Sequence, residues 1–144
     1  MNAFNDLPLC SESAHQQRLF AFCAVARRHG FEAAKVWAQT GIIVPSEENA
    51  ATALAWLHAI SNGGLRSKAT GARLKAEGVR AGVADIFLPV ARHGFFGLYI
   101  ELKYKSSLSL KQIEFRDFVV NEGYSYICAK SWREAAEFIE KYLK

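Results

Sequence analysis

Past Gly82 the spacing of apolar residues changes from helical to alternating, and the order of elements that follows leaves few folds open. Residues 85–90 and 97–104 read as two strands joined by a turn at His93-Gly94, a hairpin. Ser109-Leu110-Lys111-Gln112 has capping-box form and starts a helix that reaches Glu122 and stops at Gly123. A third strand follows at 124–129, and Ser131-Trp132-Arg133-Glu134, a second capping box, opens a last helix to Leu143. Strand, helix, strand in that order implies a right-handed crossover between parallel strands. The fold class is therefore α/β, a small mixed sheet flanked by helices.

The first half reads as helical. Leu19, Phe20, Cys23 and Ala26 recur at helical spacing within residues 12–28, and Gly30 is a stop signal. A second helical stretch covers 31–39, and Pro45-Ser46 opens a third that carries Leu54, Trp56 and Leu57. Asn62-Gly63-Gly64 forces a turn, and 67–77 forms a helix ended by Gly78. No repeat or linker divides the 144 residues, and with 51% apolar residues the chain can bury a core as one domain, 1–144.

The net charge of +4 is unevenly spread. Arg66, Lys68, Arg73, Lys75 and Arg80 face only Glu77 in the same segment, which concentrates the whole excess there. Such a cluster is either a solvated face or a surface for phosphates. Cys10, Cys23 and Cys128 form no CxxC pair, which argues against a disulfide framework or structural zinc. His15, His29, His58 and His93 lack metalloprotease or triad spacing. Trp37, Trp56 and Trp132 belong to the core or an interface. With no signal segment and no run near the ~20 apolar residues that cross a bilayer, the reading is a soluble protein of the reducing cytoplasm, not a membrane protein.

Two charges interrupt the otherwise apolar strand Leu98-Tyr99-Ile100-Glu101-Leu102-Lys103-Tyr104. Side chains alternate along a strand, so Glu101 and Lys103 share a face while Ile100 and Leu102 take the other. An isolated E-x-K is commonly a solvent-facing edge strand. Asp85 changes the balance, because it opens the preceding strand and a hairpin brings its carboxylate beside Glu101. Carboxylates that converge are held together cheaply by a hard divalent cation or a proton.

At these residues the sequence resembles the VRR-NUC nucleases, a branch of the PD-(D/E)XK superfamily with stand-alone members in bacteriophages and prophages. The likeness runs through Asn62-Gly63-Gly64-Leu65-Arg66-Ser67, then residues 72–83, then Asp85. It continues through Gly97-Leu98-Tyr99-Ile100-Glu101-Leu102-Lys103, Leu108-Ser109-Leu110-Lys111-Gln112 and Gly123-Tyr124. It covers the chain from about Leu57 to the C-terminus, with Glu12-x-x-x-Gln16 as an upstream part. Where the family commonly has proline before the first acid, this chain has Ala84, which leaves the carboxylate available. Residues 31–53 have no counterpart in the motif pattern and read as a family-variable helical insertion, shaping a substrate groove or a dimer contact.

The resemblance implies a restriction-endonuclease-like core that hydrolyses DNA phosphodiesters with Mg²⁺ or Mn²⁺, leaving 5′-phosphate and 3′-hydroxyl ends. Asp85, Glu101, Glu12 and the backbone carbonyl of Leu102 are the implied metal ligands, and Lys103 orients or helps deprotonate the attacking water. Gln112 either bonds the backbone at Ser109 as a helix cap or reaches the active site; Gln16 joins the site from the first helix. Arg66 and the basic segment with Lys68, Arg73, Lys75 and Arg80 take DNA phosphates. Stand-alone relatives imply a homodimer that cuts branched DNA such as four-way (Holliday) junctions, in the host cytoplasm if phage-encoded. Two rival readings are a non-catalytic nucleic-acid-binding subunit with this fold and a structural interaction domain whose charges form surface pairs.

Overall fold

The computed structural model describes residues 8–46, 49–61 and 67–144, so the expected turn at Asn62-Gly63-Gly64 and Arg66 lie outside the described residues. Helix α1 spans Glu12–Thr40, with the Ser11 hydroxyl accepting from the Ala14 N–H at 3.1 Å. Gly41 closes it in the left-handed conformation. Gly30 (φ 86°, ψ 167°) breaks α1 into the two helical stretches that the sequence separates. Only glycine fits there, because a Cβ would run into the carbonyl oxygen of Asn49.

The segment that carries Asn49 past Gly30 does not form the third helix expected from Pro45-Ser46. Residues 42–46 are irregular, and the Ala51 N–H donates to the Ala26 carbonyl of α1 at 3.0 Å. With Ala51 held to α1, the segment continues among the described residues as a 3-10 helix, Thr52–Trp56, whose Leu54 is buried and whose Trp56 is 75% exposed. A two-residue strand that alternation cannot signal follows, β1 (His58–Ala59).

Helix α2 (Lys68–Ala76) starts at Ser67, whose hydroxyl accepts from Thr70, and stops before Gly78 (φ 96°). None of its residues is buried, so caps and good helix formers sustain it. Strands β2 (Ile86–Leu88) and β3 (Leu98–Leu102) form the expected hairpin. Its turn has His93 and Gly94 at φ 52° and 83°, with Arg92 and Phe95 exchanging both backbone hydrogen bonds. Helix α3 (Leu110–Asn121) leads to β4 (Ser125–Ala129), and α4 (Trp132–Leu143) ends the chain. At α4 the Ser131 hydroxyl accepts from Glu134 as a cap should. The Glu134 carboxylate accepts from the Lys130 N–H, one residue before the anticipated position, and the Trp132 N–H donates to His15 Nδ1 at 3.1 Å.

The sheet order is β1-β2-β3-β4, antiparallel through the first three strands and parallel between β3 and β4. This is the expected mixed α/β sheet. On one face Ile86, Leu88, Leu98, Ile100, Leu102 and Ala129 meet Leu19 and Phe22 of α1 and Trp132 and Ile139 of α4, the buried core. The opposite face carries Asp85, Phe87, Tyr99, Glu101, Tyr126 and Cys128, and α3 lies over it through Phe115, packed on Tyr99 at 5.1 Å. Among the described residues no helix is long and apolar enough to cross a membrane.

Gly82 sets the approach to Asp85. It sits at φ 93°, and a Cβ there would lie 2.6 Å from the backbone oxygen of Lys111 in α3. Gly82→Ala combines a disfavoured conformation with a backbone clash, and urea denaturation is expected to show a loss of about 2 kcal/mol or more. A loss below ~0.5 kcal/mol would mean that this loop does not bear on α3.

Candidate active site

The β2–β3 register pairs Ile86 with Ile100, which sets Asp85 opposite Glu101, both on the face under α3. Asp85 Oδ2 accepts from the Leu102 N–H at 2.9 Å. In a strand the N–H and C=O of one residue face the same neighbour, so the Leu102 carbonyl also points to the Asp85 side. Glu101 is 1% exposed. Its Oε1 lies 3.2 Å from Lys103 Nζ and accepts from Gln112 Nε2, while its Oε2 is buried without a hydrogen-bond partner.

Gln112 satisfies both sequence readings at once. Its Oε1 accepts from the Ser109 N–H at 2.9 Å, forming the capping box, and its Nε2 holds Glu101. Lys103 Nζ also approaches Glu12 Oε1 at 3.9 Å, and that oxygen accepts from the Ser106 hydroxyl at 2.8 Å. Glu12 thus stands at the mouth of the site, turned to Lys103 and Ser106. Gln16, one turn further along α1, lines an adjoining groove with Ser13, Gln17, Phe20 and Ala59. Lys68, Arg73, Lys75 and Arg80 are exposed on and beyond α2, with Arg73 Nε 3.5 Å from Glu77.

Sequence reasoning missed Ser106 and Lys130, whose Nζ donates to the Ser106 carbonyl at 2.8 Å. It also missed Tyr126 and Cys128, which share the face of Glu101. No sequence signal could have found the last two, since they reach the site only through the β3–β4 register.

Burial raises the pKa of Asp85 above its ordinary value despite the Leu102 N–H and Lys103. Glu101 is pushed up to about 7 by burial and by the Asp85 carboxylate, with Lys103 opposing. A buried and a half-buried carboxylate side by side, a carboxylate oxygen with no partner, and a backbone carbonyl on the same side are a donor set that fits a hard divalent ion. Among the described residues no three His, Cys, Asp or Glu side chains cluster as a metal cage. That is compatible with magnesium, which is commonly held by one or two carboxylates and otherwise by water and substrate oxygens.

No protein-family model matches the chain, and no curated protein matches it. A solved structure described as a VRR_NUC domain protein is similar to it, with a TM-score of 0.62 and 21% identity over 94% of this chain and 90% of that chain. At that identity the likeness establishes the fold: the chain has the α/β fold of that VRR_NUC domain protein.

The raised pKa of Glu101 has a sign that can be tested. Between the ordinary value of 4.5 and about 7 the folded protein holds a proton that the unfolded chain releases. Stability contributed by that proton is therefore present at and below pH 4.5 and falls as the pH rises to about 7, by an amount on the order of a few kcal/mol. Thermal melts in EDTA are expected to show this decline for the wild type, and Glu101→Gln is expected to flatten it. An equal decline in the variant would assign the titration to another group.

Proposed function

We propose that this protein is a divalent-metal-dependent nuclease that hydrolyses DNA phosphodiester bonds at Asp85, Glu101 and Lys103. One observation carries the reading: two carboxylates and a lysine converge on a single sheet face, with Glu101 Oε2 buried and unpartnered. Burying a carboxylate with one oxygen left unpaired is costly, and the arrangement persists in a fold where a ligand relieves it.

Asp85, Glu101 and the Leu102 carbonyl would hold Mg²⁺ or Mn²⁺, and Glu12 would join them by turning from Ser106. Once bound, such an ion supplies charge neutralisation for the phosphorane and acidifies a water ligand. The chain's own residues do the rest. Lys103, 12% exposed at its side chain and held between Glu101 and Glu12, orients the attacking water and stabilises negative charge on the phosphate. Gln112 fixes the Glu101 carboxylate from the first turn of α3, so that the ligand is positioned before substrate arrives. Products with 5′-phosphate and 3′-hydroxyl ends follow from the resemblance to VRR-NUC enzymes.

The decisive assay measures metal-dependent cleavage of linear duplex, single-stranded, flap and four-way-junction DNA. Mg²⁺ or Mn²⁺ is expected to support cutting, with the junction preferred. Asp85→Asn and Glu101→Gln are each expected to lower the rate by at least about a thousandfold while DNA binding persists. Wild-type turnover in either variant would remove these residues from the site. Binding without cleavage by the wild type would favour a non-catalytic DNA-binding subunit.

The exposed cations of α2 serve as the phosphate-binding face in this reading, together with Arg80 and with Arg66. Neutralising Arg73 and Lys75 together is expected to reduce the slope of log K against log salt by roughly 0.9 for each phosphate that is no longer neutralised. An unchanged slope would place the DNA on another surface.

A junction needs two incisions and each chain carries one centre, so the reading includes a two-fold homodimer. Val36, Ile42, Ile43 and Val44 are 40%, 65%, 43% and 53% exposed and offer an apolar contact between copies. Sedimentation at assay concentration is expected to show a dimer, and Ile42→Asp with Ile43→Asp is expected to shift it to monomer. A wild-type monomer that still cuts would reject the resolvase reading and keep the chemistry.

A further inference from the structure

Ser13, Gln16, Gln17 and Phe20 recur three and four residues apart and so form one stripe of α1. With Ala59 on the edge strand β1 they enclose an open groove of about 350 Å³. Ala59 pairs with Ile86 and so shares the core face of the sheet, opposite the face of Asp85 and Glu101, and the groove is joined to the candidate active site through chain neighbours at the sheet edge. On the helix side Glu12 precedes Ser13, and on the sheet side Ile60, next to Ala59, donates its N–H to the Asp85 carbonyl at 2.7 Å. A group seated there lies at the sheet edge, beside the segment that carries Asp85.

Among the described residues no charged side chain lines the groove. A phosphate would call for cations, and the exposed cations of the basic segment lie on α2 and at Arg80 instead. What the lining does offer is two primary amides, each with two donors and an acceptor, one hydroxyl, and an aromatic ring. The ring of Phe20 is anchored, since it packs against the buried core. The Gln17 amide donates to Ser13 Oγ at 3.3 Å, a long and exposed hydrogen bond that a ligand can replace at little cost. Amides that pair with donor and acceptor edges, beside an aromatic group for contact, are the means by which proteins read unstacked bases. The volume is at the lower end of small-ligand sites, enough for one heteroaromatic ring system.

We propose that this groove receives a single unstacked nucleobase of the DNA whose backbone is cut at Asp85 and Glu101. The proposal rests on the nuclease reading and adds what that reading lacks, a contact that distinguishes an unpaired or distorted nucleotide from continuous duplex. A base inside an intact stack cannot enter a recess beside a helix, whereas one at a branch point or single-stranded end costs less to extrude.

The test uses the full-length protein in EDTA, with branched DNA carrying one abasic residue at each position around the branch in turn. At one position, loss of the base is expected to weaken wild-type binding about tenfold. Ala59→Trp fills the groove from an exposed edge strand, and binding by that variant is expected to be indifferent to the same abasic residue with an unchanged salt slope. Gln17→Ala, on an exposed helix face, is expected to halve the abasic effect or more. If the wild type ignores every abasic position, or if both variants keep the full penalty, while intact DNA is still bound and cleaved with metal, the groove assignment fails alone. Absence of both DNA binding and metal-dependent cleavage overturns the nuclease reading and the groove assignment with it.

Discussion

A carboxylate completes the sheet in place of a main-chain carbonyl. Beyond Ile86 the β2–β3 ladder would pair Leu102 with Ala84, yet the Leu102 N–H is taken by Asp85 Oδ2. The side chain is thereby locked beside the strand that carries Glu101, and the register places the two acids opposite each other. Everything else at the site follows from this juxtaposition. Burial and the Asp85 carboxylate raise the pKa of Glu101, and the fold answers with Lys103 and Gln112 on one oxygen of Glu101 while leaving the other without a partner. A carboxylate pair left partly uncompensated is a poor way to stabilise a domain and a good way to prepare a cation site.

Helix α3 is the second support, and its role depends on one residue with two ends. Gln112 uses its oxygen to cap the helix and its amide nitrogen to hold Glu101, so the start of α3 cannot shift without moving the carboxylate. Gly82 ties the same helix start to the loop that delivers Asp85, because the absent side chain lets that loop touch Lys111. The two acids reach the site on different strands, and both strands are indexed to the same turn of α3. Phe115 on Tyr99 extends the contact along the helix. Positioning of this kind, with ligands fixed by neighbours that do not react, separates a site from an accidental cluster of charge.

Around this centre the surface divides by chemistry. Exposed Lys68, Arg73 and Lys75 lie on α2 with Arg80 just beyond it, whereas the groove along α1 is lined by amides, a hydroxyl and one aromatic side chain. The first suits a repeated charge such as a phosphate backbone, which needs little shape. The second suits a planar group with directional hydrogen bonds. Helix α2 can serve the first role because it buries nothing: its side chains are open to solvent or a ligand, and its helicity comes from Ser67 and Gly78 at its ends. The apolar residues of 36–44 lie away from both motifs in sequence and are read as a contact between copies.

Most of the architecture is legible in the sequence because it depends on local rules. The hairpin at His93-Gly94, the capped helices from Ser109 and Ser131, the stop at Gly78 and the break at Gly30 all come from residues that act on their immediate neighbours. Alternation along 98–104 is enough to put Glu101 and Lys103 on one face, and the hairpin brings Asp85 to them. Tertiary structure decided what depends on partners distant in the chain. It replaced the helix expected from Pro45 with a segment crossing α1, because Ala51 hydrogen-bonds Ala26 there and Asn49 rests on a glycine that has no Cβ. It added the two-residue strand β1, too short for any periodicity, and through it the wall of the groove. It brought Tyr126 and Cys128 to the site through parallel pairing, a register that no local signal encodes. The two roles open to Gln112, helix cap and active-site contact, were settled the same way, since both ends of one amide can be used only when the strand and the helix meet at that residue.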